Sequence, residues 1–137
     1  MKYVHAVHVR WSDCDPAGII YHPHYFRWMD DAAHLLLDKA GFGFERLLKD
    51  LGVPGVPLVS ANADFRSPAM LDDLLEIECH VSEFGTKSFT VSHFIRRGET
   101  LIAEGWQKRV WCKADPDGSR KLTAHPIPDN FKQALAP

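Results

Sequence analysis

Long apolar runs are missing from this sequence, as is an excess of charge of either sign. No stretch approaches the roughly 20 apolar residues that a membrane-spanning helix needs, so no transmembrane segment is expected. Lys and Arg number 16 against 18 Asp and Glu, a net charge of -2, which provides no global field to gather nucleic acid or an anionic membrane surface. Cysteine is scarce: Cys14, Cys79 and Cys112 are odd in number and lack CxxC spacing. With no secretory signal pattern at the N-terminus, they point to a reducing cytoplasm. Internal repeats, low-complexity tracts, a Walker loop, a dinucleotide fingerprint and zinc-ribbon spacing are also lacking. Ser60 stands in "LVSAN" without the glycines of a nucleophile elbow, which leaves a serine-hydrolase triad unsupported.

What is present fits one domain over residues 1–137, with 45% hydrophobic and 25% charged residues, enough to bury a real core. Val7, Val9 and Trp11 alternate with His8 and Arg10, which predicts a half-buried strand from Tyr3 to Trp11. Pro23 suits a first helical turn. Phe26, Met29, Ala33, Leu36, Leu37 and Ala40 then recur at helical spacing until Gly41 supplies a stop. A shorter helix is expected at Phe44–Leu51, ahead of the "GVPGVP" breaker.

The rest reads as strand: Leu58–Phe65, Leu74–Phe84, Lys87–Arg97, Leu101–Lys113 and Arg120–Ala124, with room for one helical turn in the tail. One long apolar helix followed by about five strands predicts an α+β fold, an antiparallel sheet packed on that helix. Such a sheet leaves an edge open, and a homodimer is expected from it.

The chemistry concentrates between the first strand and the long helix, in "SDCDPAGIIYHPHYFRWMDDA". Asp13 and Asp15 read either as loop and capping residues or as acid and base. Gly18 and the helix start a few residues on favour chemistry, because free N–H groups at a helix N-terminus attract developing negative charge. Asp15 then serves as nucleophile on an acyl carbon or as general base for water, with N–H groups near His22 to His24 polarising the carbonyl oxygen. Spacing does not choose between these routes.

Histidines 5, 8, 34, 80, 93 and 125 add no metal-ligand spacing to His22 and His24, so no metal is expected. Cys14, flanked by two carboxylates, is a poor nucleophile. Lys87, Arg96 and Arg97 form either a local cationic edge for a phosphorylated ligand or a solvated strand face. The tryptophans at 11, 28, 106 and 111 are assigned to core or interface.

"DCDPAGIIYHPHYFRW", the helix after it, "PLVSANADFRSPAMLDDLLEIECHV" and "TKSF" together resemble the hotdog-fold acyl-CoA thioesterases of the 4-hydroxybenzoyl-CoA type, over nearly the whole chain. The resemblance implies a sheet wrapped around one central helix, homodimers with active sites at the subunit interface, and pairing of dimers into a tetramer. It implies hydrolysis of an acyl-CoA without metal or other cofactor. An aromatic acyl group comes first and a short or medium aliphatic one second, with a hydratase or dehydratase and a non-catalytic acyl-CoA binding module as rivals.

By motif position the resemblance puts the catalytic carboxylate on Asp15, with Asp13 structural, and the carbonyl-polarising N–H on His22. Gly18 lies in the same motif. Lys87 takes the CoA phosphates with Ser88 beside it, and Asp30 either faces the acyl pocket or pairs with Arg27. Gly85 and Thr86 stand where the hydroxybenzoyl type has arginines, which implies either weaker nucleotide binding or compensation by Arg96, Arg97 or Arg109.

Overall fold

The computed structural model describes residues 1–137. A five-stranded antiparallel sheet is built from β1 (Lys2–His8), β2 (Leu58–Phe65), β3 (Leu74–Phe84), β4 (Ser88–Arg97) and β5 (Thr100–Val110), in the order β1-β3-β4-β5-β2. Helices α1 (Pro23–Lys39) and α2 (Phe44–Leu51) lie between β1 and β2 in the chain, and α1 packs on β1 and β3. A small hairpin, β6 (Cys112–Ala114) and β7 (Leu122–Ala124), and helix α3 (Asp129–Leu135) follow. This is the expected α+β hotdog arrangement. No helix is long and apolar enough to cross a membrane.

Local sequence explains these elements. Leu75, Ile77, Cys79 and Val81 on β3 and Phe89, Val91, His93 and Ile95 on β4 are buried at every second position, the period of a strand with one face inward. Helix α1 starts with Pro23 at its first position and buries Trp28, Met29, Ala32, Ala33, Leu36 and Leu37. It stops where Gly41 turns to φ 86°, with Phe42 N–H on the Leu37 carbonyl (2.8 Å) and Gly41 N–H on that of Asp38 (2.9 Å), a Schellman closure.

Several boundaries differ from the sequence expectation. β1 ends at His8 rather than Trp11, because the Arg10 N–H leaves the ladder for the Asp13 carboxylate and a 3-10 turn forms at Trp11–Asp13. Trp11 is therefore 79% exposed, neither core nor strand, and Trp106 sits half-exposed on the outer face, while Trp28 and Trp111 are buried. The run Leu101–Lys113 splits at Trp111, whose N–H bonds the Lys87 carbonyl. β7 begins only at Leu122, since Arg120 has φ 61°. The tail holds a seven-residue helix rather than one turn, because Phe131 stacks edge-on with Phe42, Phe89 and Trp111.

The sheet has two distinct ends. Arg97, closing β4, lies beside Pro68 and Asp73, whereas Lys87 and Ser88 open the same strand at the opposite end, next to Val110. β2 is an edge strand of eight residues without lysine or proline, and Leu58, Val59 and Phe65 on it are exposed.

Candidate active site

The two aspartates before α1 have different surroundings. Asp13 is 6% exposed; its carboxylate accepts the Arg10 N–H at 2.8 Å and stands 3.7 Å from His24 Nδ1 and 3.8 Å from Arg27 Nη2. Its carbonyl accepts the Tyr21 N–H at 2.8 Å. Asp13 thus ties the connection between strand and helix together.

Asp15 is half-buried on the turn that follows. Its carboxylate accepts the Ala17 N–H (2.9 Å), its carbonyl the Gly18 N–H (2.9 Å), and its own N–H donates to Ile19 (2.9 Å). Gly18 has φ 79° and open space where a Cβ would stand, so glycine serves the left-handed dihedral rather than a close approach. One carboxylate oxygen is engaged by the turn, which orients the group and leaves the other available.

Downstream, backbone donors become scarce. The amides of Cys14, Asp15, Ala17, Gly18, Ile20, Tyr21, His24 and Tyr25 all have acceptors, whereas those of Ile19 and His22 have none. His22 caps α1 directly before Pro23, so its N–H lies at the positive end of the helix. Its ring is exposed and packs edge-on to Tyr21 at 5.4 Å.

A cavity of about 350 Å³ opens here, lined by Ile19, Ile20, His22, Tyr25, Phe65 and the Arg66–Ala69 segment. Tyr25, buried against Phe65 at 5.1 Å between ring centres, has its hydroxyl pushed up to about 12, by burial first and then by the Asp73 charge. The cleft is a mostly apolar wall with a backbone donor at its mouth and a carboxylate on the adjoining turn, a layout suited to attack on a carbonyl.

The remaining predicted residues lie elsewhere. Lys87 is exposed and Ser88 half-buried at the far end of β4, so a single chain does not bring them to Asp15. Asp30 pairs not with Arg27 but with Arg109, whose guanidinium also donates to the Val56 carbonyl (3.1 Å) and Gln107 Oε1 (3.0 Å). Arg109 is 3% exposed and so cannot supplement a phosphate clamp. Arg97 is held by Asp73, and Arg96 lies over the Phe94 ring on the outer face.

Tyr25, the Arg97–Asp73 pair and the Asp30–Arg109–Gln107 chain were missed. A helical stripe through Tyr25, Trp28, Met29, Ala32 and Leu36 would have found the first; nothing local marks the pairs. No group of three or more His, Cys, Asp or Glu side chains is placed to hold a metal.

The family model of the thioesterase-like superfamily matches residues 9–135. The chain belongs to this superfamily. Among its thioesterase relatives, the 4-hydroxybenzoyl-CoA thioesterase of Pseudomonas sp. strain CBS-3 is 39% identical over 129 residues, covering 90% of this chain and 89% of that one. A mutant 4-hydroxybenzoyl-CoA thioesterase complexed with 4-hydroxybenzoyl-CoA superposes with a TM-score of 0.89 at 28% identity, over 98% and 99% of the two chains. A gentisyl-coenzyme A thioesterase gives 0.82 at 34% identity, over 95% and 99%.

Proposed function

We propose that this thioesterase-superfamily chain hydrolyses an acyl-CoA to the free acid and CoA, and that its acyl group is aromatic, of the hydroxybenzoyl or benzoyl kind. The observation that carries the reading is the half-buried Asp15 carboxylate on a hydrogen-bonded turn, close in sequence to a helix N-terminus whose His22 N–H has no acceptor. The relatives named for aromatic acyl-CoA substrates support the choice of acyl group.

The thioester carbonyl oxygen receives the His22 N–H as it becomes an oxyanion. Asp15 attacks the carbonyl carbon or takes a proton from the water that does, the carbon–sulfur bond breaks, and the thiolate of CoA leaves. Water supplies the oxygen of the product acid on either route. Neither route needs a cofactor.

Two copies complete the site in this reading. Antiparallel pairing of β2 with the same strand of a second copy across a two-fold axis reverses the ends of the sheet. The partner's Lys87 end then stands beside this chain's Phe65 end, where the cleft opens. Lys87 and Ser88 become binding groups for the CoA phosphates of the neighbouring site, and Asp30 a polar group on the helix wall facing the acyl pocket. Two such dimers are expected to pair into a tetramer, and three free cysteines suit a reducing cytoplasm.

The test is Asp15→Asn, assayed on a panel of aromatic and aliphatic acyl-CoAs with free-thiol detection. Turnover should fall by about 10²-fold or more while thioester binding persists. Unchanged turnover refutes the role of Asp15. Binding without hydrolysis across the panel by the natural protein favours a binding module, and a preference for aliphatic chains overturns the acyl assignment.

A further inference from the structure

The turn that carries Asp15 is braced from outside as well as by its own hydrogen bonds. Its outgoing arm is docked on the segment between β2 and β3: Ile20 N–H donates to the Ala69 carbonyl at 3.1 Å, and Ile19 bridges Met70. That segment is in turn clamped from the end of β4. Arg97 Nη1 donates to Asp73 Oδ2 at 2.8 Å and to the Pro68 carbonyl at 3.3 Å, and Asp73 Oδ2 also accepts the Met70 N–H at 2.9 Å.

Asp73 and Asp72 close the circuit on the residue directly after β1, with Val9 N–H on the Asp73 carbonyl (2.9 Å) and Asp72 N–H on that of Val9 (3.0 Å). Asp72 adopts φ 69° to do so, a conformation that aspartate tolerates better than most residues. Arg97 and Asp73 are only partly exposed, at 39% and 24%. Such a pair contributes little to global stability, but it braces a segment that lines the cleft and docks the turn carrying Asp15.

We propose that the Arg97–Asp73 pair is a positioning device for Asp15, acting through the Pro68–Met70 segment on the Ile19–Ile20 arm of the turn. The proposal rests on the hydrolytic reading of Asp15. Neither residue touches substrate; they set where the carboxylate stands. The guanidinium holds Asp73 and the Pro68 carbonyl together, and Asp73 holds the amide of Met70. A shift of this segment by a fraction of an ångström moves Asp15 relative to the His22 N–H, to which catalysis is sensitive. The electrostatics agree: the Met70 N–H holds the Asp73 carboxyl below its ordinary range, burial opposes it, and the hydrogen bond and charge of Arg97 add to the lowering.

The experiment compares Arg97→Met, Arg97→Lys and a double variant that adds Asp15→Asn to Arg97→Met. Arg97→Met should lower kcat about 10- to 100-fold with KM changed less than about threefold, and Arg97→Lys should recover most of the loss. In the Asp15→Asn background the same Arg97 change should cost nothing further, because it acts through the carboxylate already removed. A raised KM with normal kcat would make Arg97 a substrate contact and overturn the proposal, as would full additivity in the double variant.

An arm independent of turnover separates this proposal from the hydrolytic reading. Amide hydrogen exchange at Asp15 and Ile20 should quicken in Arg97→Met relative to the parent protein, with the α3 amides unchanged. Unchanged exchange at both turn amides overturns the proposal even if the protein is an active thioesterase. Quickened exchange in a protein that hydrolyses no acyl-CoA sustains the mechanical link, but overturns the hydrolytic reading and with it the catalytic role of the pair.

Discussion

An Asp15→Asn chain and a Lys87→Ala chain, each crippled alone, should regain activity when mixed into the same dimer. Lys87, directly before β4, lies ten residues back from Arg97, roughly 33 Å at about 3.3 Å per strand residue, so one chain alone does not bring it to Asp15. In the proposed dimer, pairing across β2 brings it there from the neighbour. A dimer of the first variant has no carboxylate in either site, and a dimer of the second has no lysine. The hybrid has one site with both groups intact and one with both missing.

Random reassociation after co-refolding makes about half of the dimers hybrid, so about a quarter of all sites are restored. Removing a charge-assisted phosphate contact costs about 1.5–3 kcal/mol, or roughly 10- to 100-fold in kcat/KM. The assay is therefore initial rate at substrate well below KM, where the Lys87→Ala parent is weak. The mixture should run at about a quarter of the natural rate. A rate equal to the mean of the two parents would place both groups in one subunit or remove Lys87 from the site.

Two further outcomes concern the scaffold. His93 is fully buried on β4, and burial first, then the Arg109 cation and His80, press it from 6.5 down to about 4 against the opposing Gln107 and Asp30. The unfolded chain therefore binds a proton that the native one refuses. Stability is whole above pH 6.5 and should fall by about 3 kcal/mol as pH drops from there through 4. Denaturant unfolding across that range should show the slope, His93→Leu should lack it, and equal slopes would refute the assignment. Gly105→Ala would put a Cβ 2.1 Å from the Asn62 carbonyl oxygen and 3.0 Å from the Ala63 Cα, forcing β2 away from β5 at a cost of about 1–3 kcal/mol. A lowered Tm and weaker dimer in sedimentation are expected; an unchanged Tm would show that the strand yields freely.

Where one residue type decides a local dihedral or face, the structure was readable in advance. Pro23 and Gly41 bracket α1 to within a residue or two, and alternating burial on β3 and β4 follows their alternating apolar residues. The end of β1 was not readable, because it depends on the Arg10 N–H choosing the Asp13 carboxylate over the ladder. Asp13 and Asp15 are the same side chain two residues apart. What separates them is a short turn that buries one and leaves the other on a second turn, and the resemblance supplied that distinction rather than spacing.

Asp30 and Arg109 are 79 residues apart, and Arg97 and Asp73 are joined across two strands. Such pairs are specified by tertiary placement, and no periodicity along the chain encodes them. Lys87 was legible as a cation, but in the proposed site it reaches the cleft only from a second copy.

The free amide of His22 divides the site into halves of unequal mutational robustness. The carboxylate half depends on one side chain and is lost by any substitution at position 15 that removes the acid. The donor half belongs to the backbone, so every residue except proline supplies it at position 22. Evolution can therefore vary the side chain at the mouth of the cleft, and with it the acyl groups admitted, without touching the hydrogen bond proposed to receive the oxyanion.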